Sequence, residues 1–83
     1  METKQSREHV QLGRAVRVVR AEFGLSQERV GLNGRLHRNY VGAIERGEIN
    51  PTFRVLMKLA NGLGIPLSEL LAVCEALASR DES

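Results

Sequence analysis

The stretch Leu25-Ser26-Gln27-Glu28-Arg29-Val30-Gly31-Leu32-Asn33-Gly34-Arg35-Leu36-His37-Arg38-Asn39-Tyr40-Val41-Gly42-Ala43-Ile44-Glu45-Arg46-Gly47 decides the fold, because it reads as two short helices separated by a tight turn. Ser26 is placed to cap the first, with Glu28 in the opening turn, where the helix dipole favours negative charge, and Val30 as an apolar position. Gly31 and Gly34 each cost about 1 kcal/mol relative to Ala in a helix interior. That helix is therefore short, and the turn falls near residues 34–36. From His37 the second helix runs to Arg46, with Val41 and Ile44 facing inward, Gly47 as its stop, and Leu36 positioned as a hydrophobic staple on Val41.

Upstream, residues 7–23 form a helix in which Val10, Leu12, Val16, Val19 and Phe23 make an apolar stripe, while Arg14, Arg17 and Glu22 fall elsewhere. Ser6 caps it and Gly24 supplies a left-handed stop. Downstream, Glu48-Ile49-Asn50-Pro51 is a loop, and Thr52 caps a fourth helix containing Phe53, Leu56, Leu59, Ala60 and Leu63, closed by Gly62 and Gly64. Pro66 suits the first turn of a fifth helix, with Leu67, Leu70, Leu71, Cys74 and Leu77 along one side. No strand pattern or internal repeat occurs. The expectation is an all-α, compact five-helix domain over residues 7–78, a flexible N-terminus at 1–6 and a polar tail at 79–83.

With 83 residues the chain has room for one domain, and with aromatics at 4% its core must be aliphatic and small. Cys74 is the only cysteine, so no internal disulfide forms and no metal-ligand spacing arises; it reads as core or interface filler rather than a redox sensor. The N-terminus is polar and no apolar run approaches the roughly 20 residues of a membrane span, so a cytoplasmic location is expected. Residues 1–65 hold eleven Lys or Arg against six Asp or Glu, whereas residues 66–83 hold one against four. A basic body with an acidic end suits a polyanionic partner approached from one side. The two histidines, His9 and His37, stand without a glycine-rich phosphate loop or paired acidic motif, which argues against an enzyme and leaves no cofactor or metal to expect.

Taken together, Leu25-Ser26-Gln27-Glu28, then Leu36 to Val41, Ile44-Glu45-Arg46-Gly47 and Asn50-Pro51-Thr52 resemble the Cro/C1-type helix-turn-helix family of DNA-binding regulators. Leu12-Gly13-Arg14 with Arg17 and Arg20, and Leu63-Gly64-Ile65 with Leu70-Leu71, extend the resemblance to about residues 12–71. Two departures stand out. The family usually has Ala where this chain has Gly31 and Gly34, and Gly at the turn where it has Arg35. A left-handed Arg is strained, so Gly34 is expected to take that conformation instead.

The resemblance implies a lambda-repressor-like domain whose third helix, about 37–46, lies in the major groove of double-stranded DNA. It places Arg38, Asn39, Gly42 and Ala43 towards the bases, with Tyr40 flanking. Arg38 can offer two donors to guanine O6 and N7, Asn39 matches adenine, and Gly42 and Ala43 permit close approach. Gln27, Arg46, Asn50 and Thr52 are candidates for backbone phosphates, with Arg35 and Arg54 behind them, although each is also an ordinary surface polar group. Gln27 either touches phosphate or braces the recognition helix. His37 is an imperfect N-cap. Arg20 and Glu45 resemble an internal ion pair of the family.

Val73, Cys74 and Leu77 continue the apolar side of the fifth helix beyond the usual family core. They either pack on the first helix or form a twofold interface, and a homodimer on a pseudo-palindromic operator is the expectation. A small-molecule inducer is not expected. The rival use of the same fold is an antitoxin or protein-interaction module.

Overall fold

A computed structural model describes residues 6–82. The expected flexible N-terminus lies, apart from Ser6, outside the described residues. Five helices follow one another: α1 (Arg7–Glu22), α2 (Gln27–Gly34), α3 (Arg38–Glu45), α4 (Phe53–Leu63) and α5 (Leu67–Glu82). No strand occurs among the described residues. The last helix runs on through residues 79–82, where a polar tail was expected.

Local chemistry sets most of the boundaries. Ser6, Ser26 and Thr52 each accept a hydrogen bond from the backbone N–H three residues on, and all three hold the extended conformation of an N-cap. Gly24, Gly47 and Gly64 take positive φ at 67°, 74° and 80°, so each turns the chain out of the preceding helix. Pro66 sits one residue ahead of α5, its carbonyl accepting from the N–H groups of Glu69 and Leu70.

The core is aliphatic. Leu12, Ala15, Val16 and Val19 of α1 meet Val30 of α2, Val41 and Ile44 of α3, Leu59 and Leu63 of α4 and Leu70 of α5. Burying a side chain of this size contributes about 1.5–3 kcal/mol. Leu36 packs at the edge of this cluster, ahead of α3. Two members of the expected α1 stripe do not join it. Phe23 stands at the helix end, and Val10, near the start, faces Gly47. Phe53, expected inside α4, is 70% exposed: it opens the helix right after its cap and is not among the side chains packed on the core.

The turn corrects an expectation. Gly34 ends α2 in helical conformation, and Arg35 takes the left-handed one, at φ 62° and ψ 45°. Packing explains why. A Cβ on Gly34 would collide with the carbonyl oxygen of Lys58 and the backbone of Gly62, and a Cβ on Gly62 would collide with the carbonyl of Val30. Glycine at 34 and 62 lets α2 and α4 approach backbone to backbone, so neither position is a helix stop as first read. With Gly34 committed to that contact, the next residue must turn the chain. That residue is Arg35.

Candidate nucleic-acid interface

The third helix is fixed from behind at two close crossings. A Cβ on Gly13 of α1 would strike the carbonyl oxygen of Glu45, with that of Ile44 at 2.7 Å. A Cβ on Gly31 of α2 would strike the carbonyl of Leu36 just ahead of α3. Small residues at both ends of α3 therefore set its height above the body. Its inner face is closed by Val41 and Ile44, fully buried.

Glu45 ties these elements together although it is 4% exposed. Its Oε2 accepts from Arg20 Nε at 2.6 Å, and its Oε1 accepts from Arg20 Nη2 and from Gln27 Nε2, both at 3.0 Å. Arg20 also donates through Nη1 to the Leu25 carbonyl at 3.0 Å. The carboxylate thus draws α1, the α1–α2 connection and the first turn of α2 onto the last turn of α3. Hydrogen bonding to Glu45 raises the Arg20 pKa above its ordinary value, attraction between the charges adds to it, and burial opposes. Arg20 and Glu45, expected as a pair, make a two-pronged contact.

Gln27 spends its amide nitrogen on Glu45, so its described contact is to the body of the domain at the end of α3. Its amide oxygen lies over Gly42, where an added Cβ would sit 3.3 Å from it and 3.1 Å from Arg46 Nη1. Gly42 is accordingly buried beneath two side chains. The sequence reading had its smallness permit close approach to DNA; in the fold that smallness also admits Gln27 and Arg46.

The start of α3 is different. His37 caps it, Nδ1 accepting from the Asn39 backbone N–H at 3.0 Å, and Arg38 and Asn39 project from the exposed side. Tyr40 is half-buried against the core cluster, and Ala43 is half-buried one turn on. Of the four residues expected at the bases, two have exposed polar side chains. They are Arg38 and Asn39.

Beyond α3 the chain bends through exposed Asn50 and buried Pro51 to Thr52, whose hydroxyl accepts from Val55 N–H at 3.2 Å and keeps its own hydrogen to donate. Arg46 is exposed and reaches Glu48 with two bonds, of 2.8 and 3.2 Å. The Arg46 guanidinium holds the Glu48 carboxyl below its usual range, first by hydrogen bonding and then by charge. Arg35 and Arg54 are exposed. Val73, Cys74 and Leu77 are half-buried and pack against the core of their own chain.

Sequence reasoning missed several contacts, two of them at the far end of α3. Arg17 donates from Nη1 to the Glu45 carbonyl at 2.7 Å, joining the group that holds α3. Its position three residues before Arg20, on one helix face, was the available signal. The pairing of Arg46 with Glu48 carried none, since i and i+2 do not face each other on a helix; it forms because Gly47 turns the chain between them.

Comparison with known proteins agrees with this geometry. The family model described as helix-turn-helix matches residues 16–70. Control protein C.SmaI of Serratia marcescens is 40% identical over 60 residues, which span 72% of this chain and 71% of that protein. Control protein C.BamHI of Bacillus amyloliquefaciens is 35% identical over 60 residues, spanning 71% of this chain and 74% of its own length. The crystal structure of the restriction-modification controller protein C.AhdI from Aeromonas hydrophila superposes with a TM-score of 0.75 at 38% identity, covering 78% of this chain and 98% of that one. Its five helices, the locked third helix and these relatives together establish that this chain belongs to the Cro/C1-type helix-turn-helix family.

Proposed function

We propose that the protein is a transcriptional regulator that binds double-stranded DNA sequence-specifically, laying α3 in the major groove. The observation that carries this reading is the contrast along α3. Its far end is clamped to the body by Arg17, Arg20 and Gln27 through Glu45, while its leading end presents Arg38 and Asn39 to solvent. A rigid helix with its hydrogen-bonding side chains at the free end can read base edges without reorganising.

In this reading Arg38 takes guanine, Asn39 takes adenine, and Tyr40 and Ala43 contribute apolar contact at the margin. Asn50 and Thr52 at the α3–α4 connection meet phosphate oxygens, and Arg46 does so by leaving Glu48 or bridging from it. Gln27 acts chiefly as a brace. We expect the protein to work in the cytoplasm, where regulators of this kind meet their DNA.

The protein acts as a homodimer on a pseudo-palindrome, with half-site centres about 34 Å apart or a multiple of it. Large apolar side chains left exposed on α4 and α5 support dimerisation: Phe53, Met57 and Leu71. Val73, Cys74 and Leu77 add the outer part of their half-buried side chains. Controller proteins among the relatives favour regulation over the antitoxin use.

A binding-site selection followed by salt titration tests the proposal. One enriched motif, with affinity falling steeply as salt rises, is the expected result. Weak binding indifferent to sequence would refute it.

A further inference from the structure

Glu28 entered the sequence reading only as an acid in the first turn of α2. In the folded protein its Oε1 lies 3.7 Å from Nη1 of Arg38, with both side chains 62% exposed. The two residues line a shallow depression of about 360 Å³ together with Leu32, Leu36 and His37. The side chain assigned to guanine therefore stands opposite a carboxylate on the neighbouring helix.

We propose that Glu28 is a specificity-determining residue that positions Arg38 for the base. The inference rests on the DNA-binding reading above. A separation of 3.7 Å is an ion pair but too long for a hydrogen bond, so the carboxylate attracts the guanidinium without consuming its N–H donors. All five remain available, including the two that guanine O6 and N7 require. An arginine side chain free in solvent loses considerable rotamer freedom when it docks on a base. A neighbouring carboxylate on the adjoining helix narrows that freedom beforehand, although at this exposure water and salt screen much of the attraction.

The same charge acts against wrong registers. Glu28 sits in the first turn of α2, where the helix end would otherwise attract phosphate. With Arg38 on guanine, the guanidinium neutralises the carboxylate; with Arg38 displaced, the carboxylate faces the DNA backbone unpaired. Both effects raise the ratio of specific to non-specific affinity. For an exposed pair the combined effect is about two- to fivefold in that ratio.

A double-mutant cycle tests this. Wild type, Glu28→Gln, Arg38→Ala and the double variant are each measured, by fluorescence anisotropy, against three DNAs: the selected operator, the operator with the Arg38 guanine replaced, and a non-specific duplex. Measurements at about 50 and 200 mM salt separate screened from unscreened effects. Circular dichroism and urea midpoints establish that all four fold alike, as exposure at both positions leads us to expect. Glu28→Gln should lower guanine discrimination about two- to fivefold and tighten non-specific binding, with the difference shrinking at higher salt. In the Arg38→Ala background it should leave discrimination unchanged. Unaltered discrimination in Glu28→Gln, or an equal loss with and without Arg38, would overturn the positioning role while leaving DNA recognition intact. If wild type has no preferred operator, or Arg38→Ala keeps the guanine preference, the functional reading itself fails and this inference with it.

Discussion

Replacing Arg35 with glycine should make the protein more stable, an unusual direction for removing a charged side chain from a surface turn. Arg35 is the only non-glycine residue of positive φ among the described residues, at 62°. A left-handed conformation costs an L-residue about 1–2 kcal/mol, which glycine does not incur. Glycine gives back about 0.4–1 kcal/mol through the greater freedom of its unfolded chain. The Arg35 side chain is exposed, so little packing is lost with it. The net gain is about 0.5–1 kcal/mol, or a rise in Tm of roughly 2–8 °C for a domain of this size. Urea unfolding followed by circular dichroism should show a higher midpoint at unchanged slope. The companion variant, Gly34→Ala, sets a Cβ against the Lys58 carbonyl and the Gly62 backbone and should lose about 3 kcal/mol. A neutral or destabilised Arg35→Gly, or a tolerated Gly34→Ala, would refute the account of why the turn falls on an arginine.

Arg20→Ala strands the Glu45 carboxylate, whose side chain is 3% exposed, with Gln27 as its remaining side-chain donor among the contacts described here; the expected loss is about 3 kcal/mol, read as a drop in urea midpoint, and a change within about 0.5 kcal/mol would contradict it. Sedimentation should show a dimer at micromolar concentration that Phe53→Asp or Leu71→Asp converts to a folded monomer; a wild-type monomer at high micromolar concentration would dispose of the interface. Burial, with Glu75 adding a smaller effect, pushes the Cys74 thiol up. The stability tied to its protonated form is therefore complete below the unfolded value of about 8.5 and is lost as pH rises through the folded one. Iodoacetamide at pH 8 should accordingly label native protein more slowly than urea-unfolded protein, and equal rates would count against that environment.

Much of this fold is readable from caps and stops. Ser6, Ser26 and Thr52 announce helix starts because a side-chain oxygen satisfies a nearby N–H, and Gly24, Gly47 and Gly64 announce ends because they reverse the chain locally. These are local effects, contained within a few residues. Gly34 and Gly62 were misread for the opposite reason. Propensity marks a helical glycine as a weak point, whereas here each admits a second backbone whose identity is set by residues up to about thirty positions away. Exposure of Phe23 and Phe53 was hidden likewise, since an apolar residue at the right period still faces solvent if the helix begins or ends before its neighbour arrives. At the candidate site, the resemblance located Arg38 and Asn39, and chemistry singled them out from Gly42 and Ala43. What neither revealed was the use of Gln27 to cover Gly42, or the acid facing Arg38, because both depend on how closely α2 lies against α3.

Guanine N7 is exposed only in the major groove, which makes its removal the most direct test of where α3 binds. After the operator has been selected, each guanine is replaced in turn by 7-deazaguanine, and affinity is measured for wild type and Arg38→Ala. One substituted guanine per half-site should weaken wild-type binding by about tenfold, a share of the 1–3 kcal/mol that a bidentate arginine–guanine contact supplies. The same substitution should leave Arg38→Ala unaffected. Full wild-type affinity at every 7-deazaguanine, or an equal loss in Arg38→Ala, would contradict recognition of the major groove by the leading end of α3.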